Sequence, residues 1–156
     1  MDAPTGQYDR ARLVNPGSHR WALKPELGSS RRWGPWVLDA YAGVWLFIGN
    51  DRYFPGVYVQ TQQAIGAVGT HFSYDLKPRL WFSLDGNFWY GGATSLNGVE
   101  NIHTRHQNSR VGVTTSVPLS GHQSLKFSHS IADYAGFGGD FQNISVAWQY
   151  SWIGKP

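Results

Sequence analysis

The segment "RLWFSLDGNFWYGG", residues 79–92, alternates between apolar and polar side chains with a period of two. In an extended chain, one face would carry Leu80, Phe82, Leu84, Phe88 and Tyr90, and the other would carry Trp81, Ser83, Asp85, Asn87 and Trp89. This period is typical of a β-strand with one apolar face. The fold then depends on what covers that face, which is either the core of a soluble protein or lipid.

The same alternation recurs along the chain. It predicts about seven strands, near residues 21–31, 36–48, 64–75, 80–90, 110–118, 124–132 and 142–152. Short connections rich in Pro and Gly (32–35, 75–79 and 118–123) alternate with long ones (49–63, 91–109 and 133–141). Short turns at one end and long loops at the other are typical of outer-membrane barrels, whose strands need about 9–11 residues to cross the bilayer.

Composition and aromatic placement favour the same architecture. Charged residues make up 15% of the chain, against roughly 25% in soluble domains. The longest nearly apolar run, 40–49, is too short for a membrane-spanning helix, which needs about 20 residues. Four aromatic residues fall at predicted strand ends on the apolar faces, where the interfacial aromatic belts of barrels lie: Trp21, Trp36, Tyr90 and Trp152.

We therefore predict an all-β fold, an antiparallel up-and-down meander of about 7–8 strands. It would form an outer-membrane β-barrel or the C-terminal part of a larger one. The main alternative is a soluble closed β-barrel that binds an apolar ligand among Trp45, Trp81 and Trp89. A third possibility is a purely structural β domain without a ligand.

We treat residues 1–156 as a single β-barrel domain, with an N-terminal loop or extension at 1–20 and strands over 21–156. Residues 1–17 lack the basic and apolar regions of a signal peptide. The first and last predicted strands both run from the long-loop side toward the short-turn side, so an antiparallel barrel needs a further strand between them. The sequence therefore predicts a longer precursor, and self-association through unpaired strand edges if the chain stands alone.

Five segments of the chain are distinctive: "GSHRWALKPELGSSRRWG" (17–34), "SLDGNFWYGG" (83–92), "NGVEN" (97–101), "NSRVGVTTSVPLSGHQSLKFSHS" (108–130) and "GGDFQNISVAWQYSW" (138–152). Together they resemble the MetA-pathway of phenol degradation family. The resemblance implies a channel or transporter in the bacterial outer membrane for small aromatic or hydrophobic solutes. It corresponds to the C-terminal part of a full-length member and implies no catalytic residues.

If the apolar faces meet lipid, the opposite faces line a lumen. The candidates for the lumen or solute path are Lys24, Glu26, Asp39, Tyr41, Trp45, Trp81, Asp85, Asn87, Trp89, Arg110, Lys126 and Gln149. The charged residues could pair across strands and hold the barrel together, or they could contact the solute. The aromatic residues could form a path for an aromatic solute, or they could fill a packed interior.

Other chemistries find little support. The chain has no cysteine, which excludes disulfides and thiolate metal sites. Its net charge of +3 is dispersed rather than clustered, so no nucleic-acid partner is expected. His103 and His106 have no third ligand nearby, and we predict that both lie in a solvated loop. We expect no enzymatic activity, no metal and no cofactor; the expected partners are the lipid bilayer and a small-molecule solute.

Overall fold

The computed structural model describes residues 2–136, 138 and 141–152. Its elements are β1 (Ala22–Leu23), β2 (Glu26–Trp33), β3 (Trp36–Phe47), β4 (Asn50–Tyr53), β5 (Tyr58–Gln62), β6 (Ile65–Lys77), β7 (Leu80–Gly91), β8 (Thr94–Leu96), β9 (Val99–Asn101), a short 3₁₀ turn (Ile102–Thr104), β10 (His106–Pro118), β11 (Gln123–Ala135) and β12 (Asn143–Tyr150). In this part of the chain, no helix is long and apolar enough to cross a membrane.

One large antiparallel sheet contains all seven predicted strands. β1 and β2 both pair with β3 and act as one strand interrupted at residues 24–25, and the order then runs β3, β6, β7, β10, β11, β12. Strands that are neighbours in sequence therefore neighbour each other in space, which confirms the antiparallel meander. The sheet is not closed, because β2 and β12 each pair on one side only.

The connections differ from the prediction at one end of the sheet. The short turns between β2 and β3, β6 and β7, and β10 and β11 all lie at the end that we call the short-turn end. At the opposite long-loop end, the segments 49–63 and 91–109 are not simple loops. They contain β4, β5, β8 and β9, which pair as a second, four-stranded sheet. The predicted loop 133–141 lies partly outside the described residues.

The N-terminal segment packs against the second sheet. The Tyr8 hydroxyl donates to the Arg52 carbonyl at 2.9 Å. Asn50, which is 1% exposed, donates from Nδ2 to the Tyr8 hydroxyl at 3.0 Å and to the Ser18 carbonyl at 3.1 Å. These hydrogen bonds hold residues 2–20, predicted as a loop or extension, against the second sheet at the long-loop end.

The two faces of the large sheet differ in burial in the opposite sense to a soluble protein. On the apolar face, Leu84 is 58% exposed and Val113 50%, whereas on the polar face Ser83 is 1% exposed. The buried hydrophobic residues of the described chain are three alanines. Its accessible surface is 10703 Å², against about 7,900 Å² expected for a folded monomer of this mass. The apolar face is therefore not covered by any other part of the described chain.

Aromatic side chains gather on the apolar face near the ends of the strands. At the short-turn end Trp36 stacks on Phe72 at 4.8 Å and meets Tyr74 edge-on at 4.6 Å. Tyr150 contacts Trp148 and Trp152, each at 6.2 Å between ring centroids. The predicted aromatic positions Trp21, Trp36, Tyr90 and Trp152 all lie at or next to strand ends.

Candidate functional site

The polar face carries every residue predicted to line a lumen. Residues paired directly across neighbouring strands point to the same face of a sheet. The pairing register and the contacts of Lys24 place the following side chains together on this face: Lys24, Glu26, Asp39, Tyr41, Trp45, Trp81, Asp85, Asn87, Trp89, Arg110, Lys126 and Gln149.

Tyr41 lies across the polar face and joins three strands. Its hydroxyl, which starts from β3, donates to Asn87 Oδ1 on β7. The intervening strand β6 has Gly69 at this level, and a Cβ added there would overlap the Tyr41 ring. The glycine is therefore needed for space, and the bridge between Tyr41 and Asn87 depends on the absence of a side chain at position 69.

A row of ionisable residues lies one level closer to the short-turn end. Asp39, His71 and Asp85 are direct neighbours on β3, β6 and β7, and we call them the acidic level. The His71 Nδ1 donates to Asp85, and the Thr114 hydroxyl donates to the other carboxylate oxygen at 2.9 Å. His71 was not among the predicted site residues, although the alternation of β6 already placed it on this face.

Small hydroxyl side chains occupy the next level toward the short-turn end. Cross-strand pairing aligns one residue from each of five strands, which we call the hydroxyl level: Ser73, Ser83, Thr114, Ser128 and Ser145. Ser73 and Ser83 are buried at 7% and 1% exposure. None of these five side chains is larger than threonine, so the polar face is recessed across these five strands, whereas the same level continues on β3 and β2 with Val37 and Arg32.

Ion pairs and cation–π contacts flank these levels at the two ends. Toward the long-loop end Lys24 pairs with Glu26 at 2.5 Å and lies 5.4 Å from the Trp45 ring. At the short-turn end Lys126 lies 5.2 Å from the Trp81 ring. Gln149 and Trp81 line a cavity of about 180 Å³ at that end.

A second cavity, of about 240 Å³, surrounds Arg110 near the long-loop end. The guanidinium donates to the Ser130 hydroxyl at 3.0 Å, to the Ser130 carbonyl at 3.2 Å and to the Phe141 carbonyl at 2.9 Å. It also lies 4.2 Å from the centroid of the Phe141 ring. Trp89 and Asn143 contribute to the same cavity wall. We call this space the Arg110 cavity.

A third cavity, of about 360 Å³, adjoins the Arg110 cavity at Trp89 and is mainly aromatic. Its lining residues are Trp45, Phe47, Ile65, Trp89, His106 and Asn108, and we call it the ring cavity. Trp45 and Phe47 are nearly parallel, with ring centroids 6.4 Å apart. Phe47 was not predicted, although its parity with Trp45 identifies its face. His106 was predicted to lie in a solvated loop. This prediction is wrong, because His106 is the first residue of β10 and is half-buried.

Arg20 connects the ring cavity wall to the second sheet. It lies before β1, with its guanidinium 4.7 Å from the Phe47 ring, and Nη2 donates to Gln62 Oε1 at 2.6 Å. Burial lowers the pKa of Arg20 from its ordinary value, because removal from water disfavours the charged form. Gln62 in turn donates to the Gly92 carbonyl at 3.0 Å, so the side chains form one chain of contacts.

Metal-binding geometry is not found in the described part of the chain, where no group of three or more His, Asp, Glu or Cys side chains could hold an ion. His103, the first histidine of the "HTRH" segment, is exposed. The chemistry available on the polar face is therefore hydrogen bonding, fixed charge and aromatic contact.

Comparison with known families identifies the group to which the protein belongs. The family model described as "Putative MetA-pathway of phenol degradation" matches residues 1–148. The chain belongs to this family. The match covers both sheets and nearly all of the polar face, and it confirms the resemblance inferred from the sequence segments. A search of curated proteins finds no match.

A solved structure shows the same fold as this family member. The crystal structure of the COG4313 outer membrane channel from Pseudomonas putida F1 superposes with a TM-score of 0.81 at 19% sequence identity. The superposition covers 95% of this chain and 55% of that one. The chain thus spans about half the length of that channel, and its all-β meander is the fold of the matched part of the channel.

Proposed function

We propose that the protein forms part of the wall of a channel in the bacterial outer membrane. The observation that carries this proposal is the inverted burial of the sheet, with large apolar side chains exposed on one face and hydroxyls buried on the other. Such an apolar face is stable in contact with lipid, whereas contact with water would leave its apolar surface unburied. The polar face then lines the lumen.

The family match and the fold of the Pseudomonas putida channel support this assignment. Bacterial barrels have short periplasmic turns and longer extracellular loops. The short-turn end would therefore face the periplasm, and the second sheet, with the N-terminal segment packed on it, would lie at the extracellular mouth.

The open edges of the sheet support the further proposal that additional strands complete the wall. β2 and β12 each present backbone N–H and C=O groups that pair with no strand of the described chain. Unpaired backbone groups are strongly disfavoured in hydrocarbon, which is why membrane sheets close into barrels. Both edge strands run toward the short-turn end, so strands beyond them must be odd in number for antiparallel closure. A second copy pairing at these edges is the alternative way to cover them.

The solutes that we propose are small and aromatic or hydrophobic. Trp45 and Trp89 lie toward the long-loop end of the polar face, and Trp81 lies at its other end. Trp81 and Trp89 are eight residues apart on β7, which corresponds to about 27 Å along the strand. Two rings this far apart would contact a solute at successive points along a path. This separation argues against the soluble binding module, in which the same side chains would surround one ligand.

Osmotic swelling of liposomes tests the channel. We expect reconstituted protein to accelerate entry of catechol, an aromatic diol, beyond the rate of bare liposomes. Replacement of Trp89 by Ala should slow catechol more than erythritol, an aliphatic polyol, because only the aromatic solute loses a ring contact. The matched control is Trp148→Ala on the apolar face, which should leave both rates unchanged.

Swelling no faster than in bare liposomes would refute the channel. Equal loss of catechol and erythritol entry in Trp89→Ala would refute the aromatic preference alone. A protein that stays monodisperse without detergent would instead support the soluble binding module.

A further inference from the structure

Two cavities of different chemistry adjoin at the long-loop end of the polar face. The ring cavity is lined mainly by apolar and aromatic side chains, whereas the Arg110 cavity combines a guanidinium and other polar groups with apolar and aromatic side chains such as Tyr134 and Phe141. Trp89 and Asn108 belong to both walls. One ligand could therefore place an apolar ring in one cavity and a polar group in the other.

Arg110 differs from two other cations of the polar face, which are held in ion pairs. Lys24 is paired with Glu26 at 2.5 Å, and Arg32 with Asp75 at 2.7 Å. Within residues 2–136, 138 and 141–152, the acceptors that the structure shows for Arg110 are all neutral: the Ser130 hydroxyl and two backbone carbonyls. These neutral acceptors orient the guanidinium and do not neutralise its positive charge, so an anionic group would be attracted to it.

The spacing of Trp89 and Arg110 matches a short ligand. Trp89 pairs with Asn108, and Arg110 lies two residues further along the same strand. Such diagonal neighbours are about 7–8 Å apart in an antiparallel pair. A benzene ring packed on Trp89 can therefore carry a carboxylate attached directly, or through a short linker, to the Arg110 guanidinium.

We propose that the two cavities form a binding subsite for aromatic carboxylates, with the ring in the ring cavity and the carboxylate on Arg110. This inference rests on the proposed channel function and deepens it, because it assigns the solute class that first binds at the long-loop mouth. The acidic level lies on the far side of Arg110 from the ring cavity. Repulsion from Asp39 and Asp85 would oppose movement of an anion from the subsite toward the acidic level.

Block of ionic current through the reconstituted protein tests the subsite with two probes of equal shape, benzoate and the neutral benzamide. We expect half-maximal block by benzoate at a concentration about tenfold lower than by benzamide, as one charge-assisted hydrogen-bonded contact provides. Arg110→Gln should remove this preference without weakening block by benzamide. Arg110→Lys should keep part of it, since the positive charge remains.

Arg12→Gln is the matched control, because it removes an exposed cation that lies outside every strand and should leave the preference unchanged. Folding of each variant is checked by its heat-dependent migration on gels. Equal block by the two probes in the wild-type protein, or a benzoate preference that survives Arg110→Gln, would overturn the subsite while leaving the channel standing. Absence of any protein-dependent current would overturn the channel itself and the subsite with it.

Discussion

Arginine substitutions on one strand measure which face of the sheet meets lipid and at what depth. Val113 lies near the middle of β10, on the apolar face, between Leu84 and His129 of the neighbouring strands. Val117 lies on the same face four residues closer to the short-turn end. Four residues span about 14 Å along a strand and, at a tilt of about 40°, about 10 Å of depth. Because the apolar band is about 25 Å tall, this step leads from its centre nearly to its edge.

The expected penalties follow from this depth difference. Val113→Arg should lower the free energy of unfolding by about 2–4 kcal/mol, and Val117→Arg by about 1 kcal/mol or less. Thr114→Arg is the matched control on the polar face. It loses the hydrogen bond to Asp85, worth about 1 kcal/mol, but places a guanidinium beside that carboxylate.

Urea unfolding of the protein folded into lipid vesicles provides the measurement. The order of destabilisation should be Val113→Arg, then Thr114→Arg and Val117→Arg together. Equal penalties at Val113 and Thr114 would show that the two faces meet the same medium, and the assignment of the apolar face to lipid would then be wrong.

Three further outcomes follow from contacts on the polar face and at the long-loop end. Gly69→Ala should destabilise the protein by about 1–3 kcal/mol, because the added methyl group displaces the Tyr41 ring; Gly66→Ala, whose methyl group would meet only the Tyr90 carbonyl oxygen at 3.8 Å on the other face of β6, should be close to neutral in the same urea titration. Asn50→Ala removes two bonds to the N-terminal segment, so limited trypsin digestion should cut within residues 2–20 faster than in the wild-type protein, and unchanged cleavage would refute this anchoring role. Asp85→Asn removes a negative charge from the acidic level, so the reversal potential in a KCl gradient should shift toward anion selectivity; no shift would mean that Asp85 does not face the conducting path.

Strand positions and faces were predictable from the sequence because a period of two is a local property. In β7 and β12 the alternation of apolar and polar residues assigns each side chain to one face of the sheet, and the pairing register agrees with this assignment. The interruption of the first strand at residues 24–25 was not predicted, because the sequence continues the same alternation across Pro25. Proline cannot donate to the strand ladder, which accounts for a break at this position.

The second sheet was missed because its strands carry no such pattern. β4 is "NDRY" and β9 is "VEN", and segments of this length and polarity are typical of loops. Their strand form depends on pairing between segments far apart in sequence, such as Gln60 with Leu96. Long-range pairing of this kind cannot be inferred from local alternation.

The sequence predicted which face of the sheet each candidate site residue occupies, but not which of these residues lie next to one another. Alternation assigned Trp89 and Arg110 to one face, yet only the register shows that they are diagonal neighbours that share a cavity. His71 was not predicted, because the local sequence does not show which residue it meets on the neighbouring strand. Its role in the structure is a hydrogen bond to Asp85.

The hydroxyl level has a consequence for how the proposed channel would sort its solutes. A serine or threonine hydroxyl can donate one hydrogen bond and accept others. This row of hydroxyls can therefore form hydrogen bonds with a permeating amide, alcohol or carboxylate equally well. Such a level discriminates little between polar solutes, and its small side chains narrow the path less than the larger side chains on either side. Discrimination would then depend on the acidic level on one side, with Arg110 beyond it, and on Trp81 on the other.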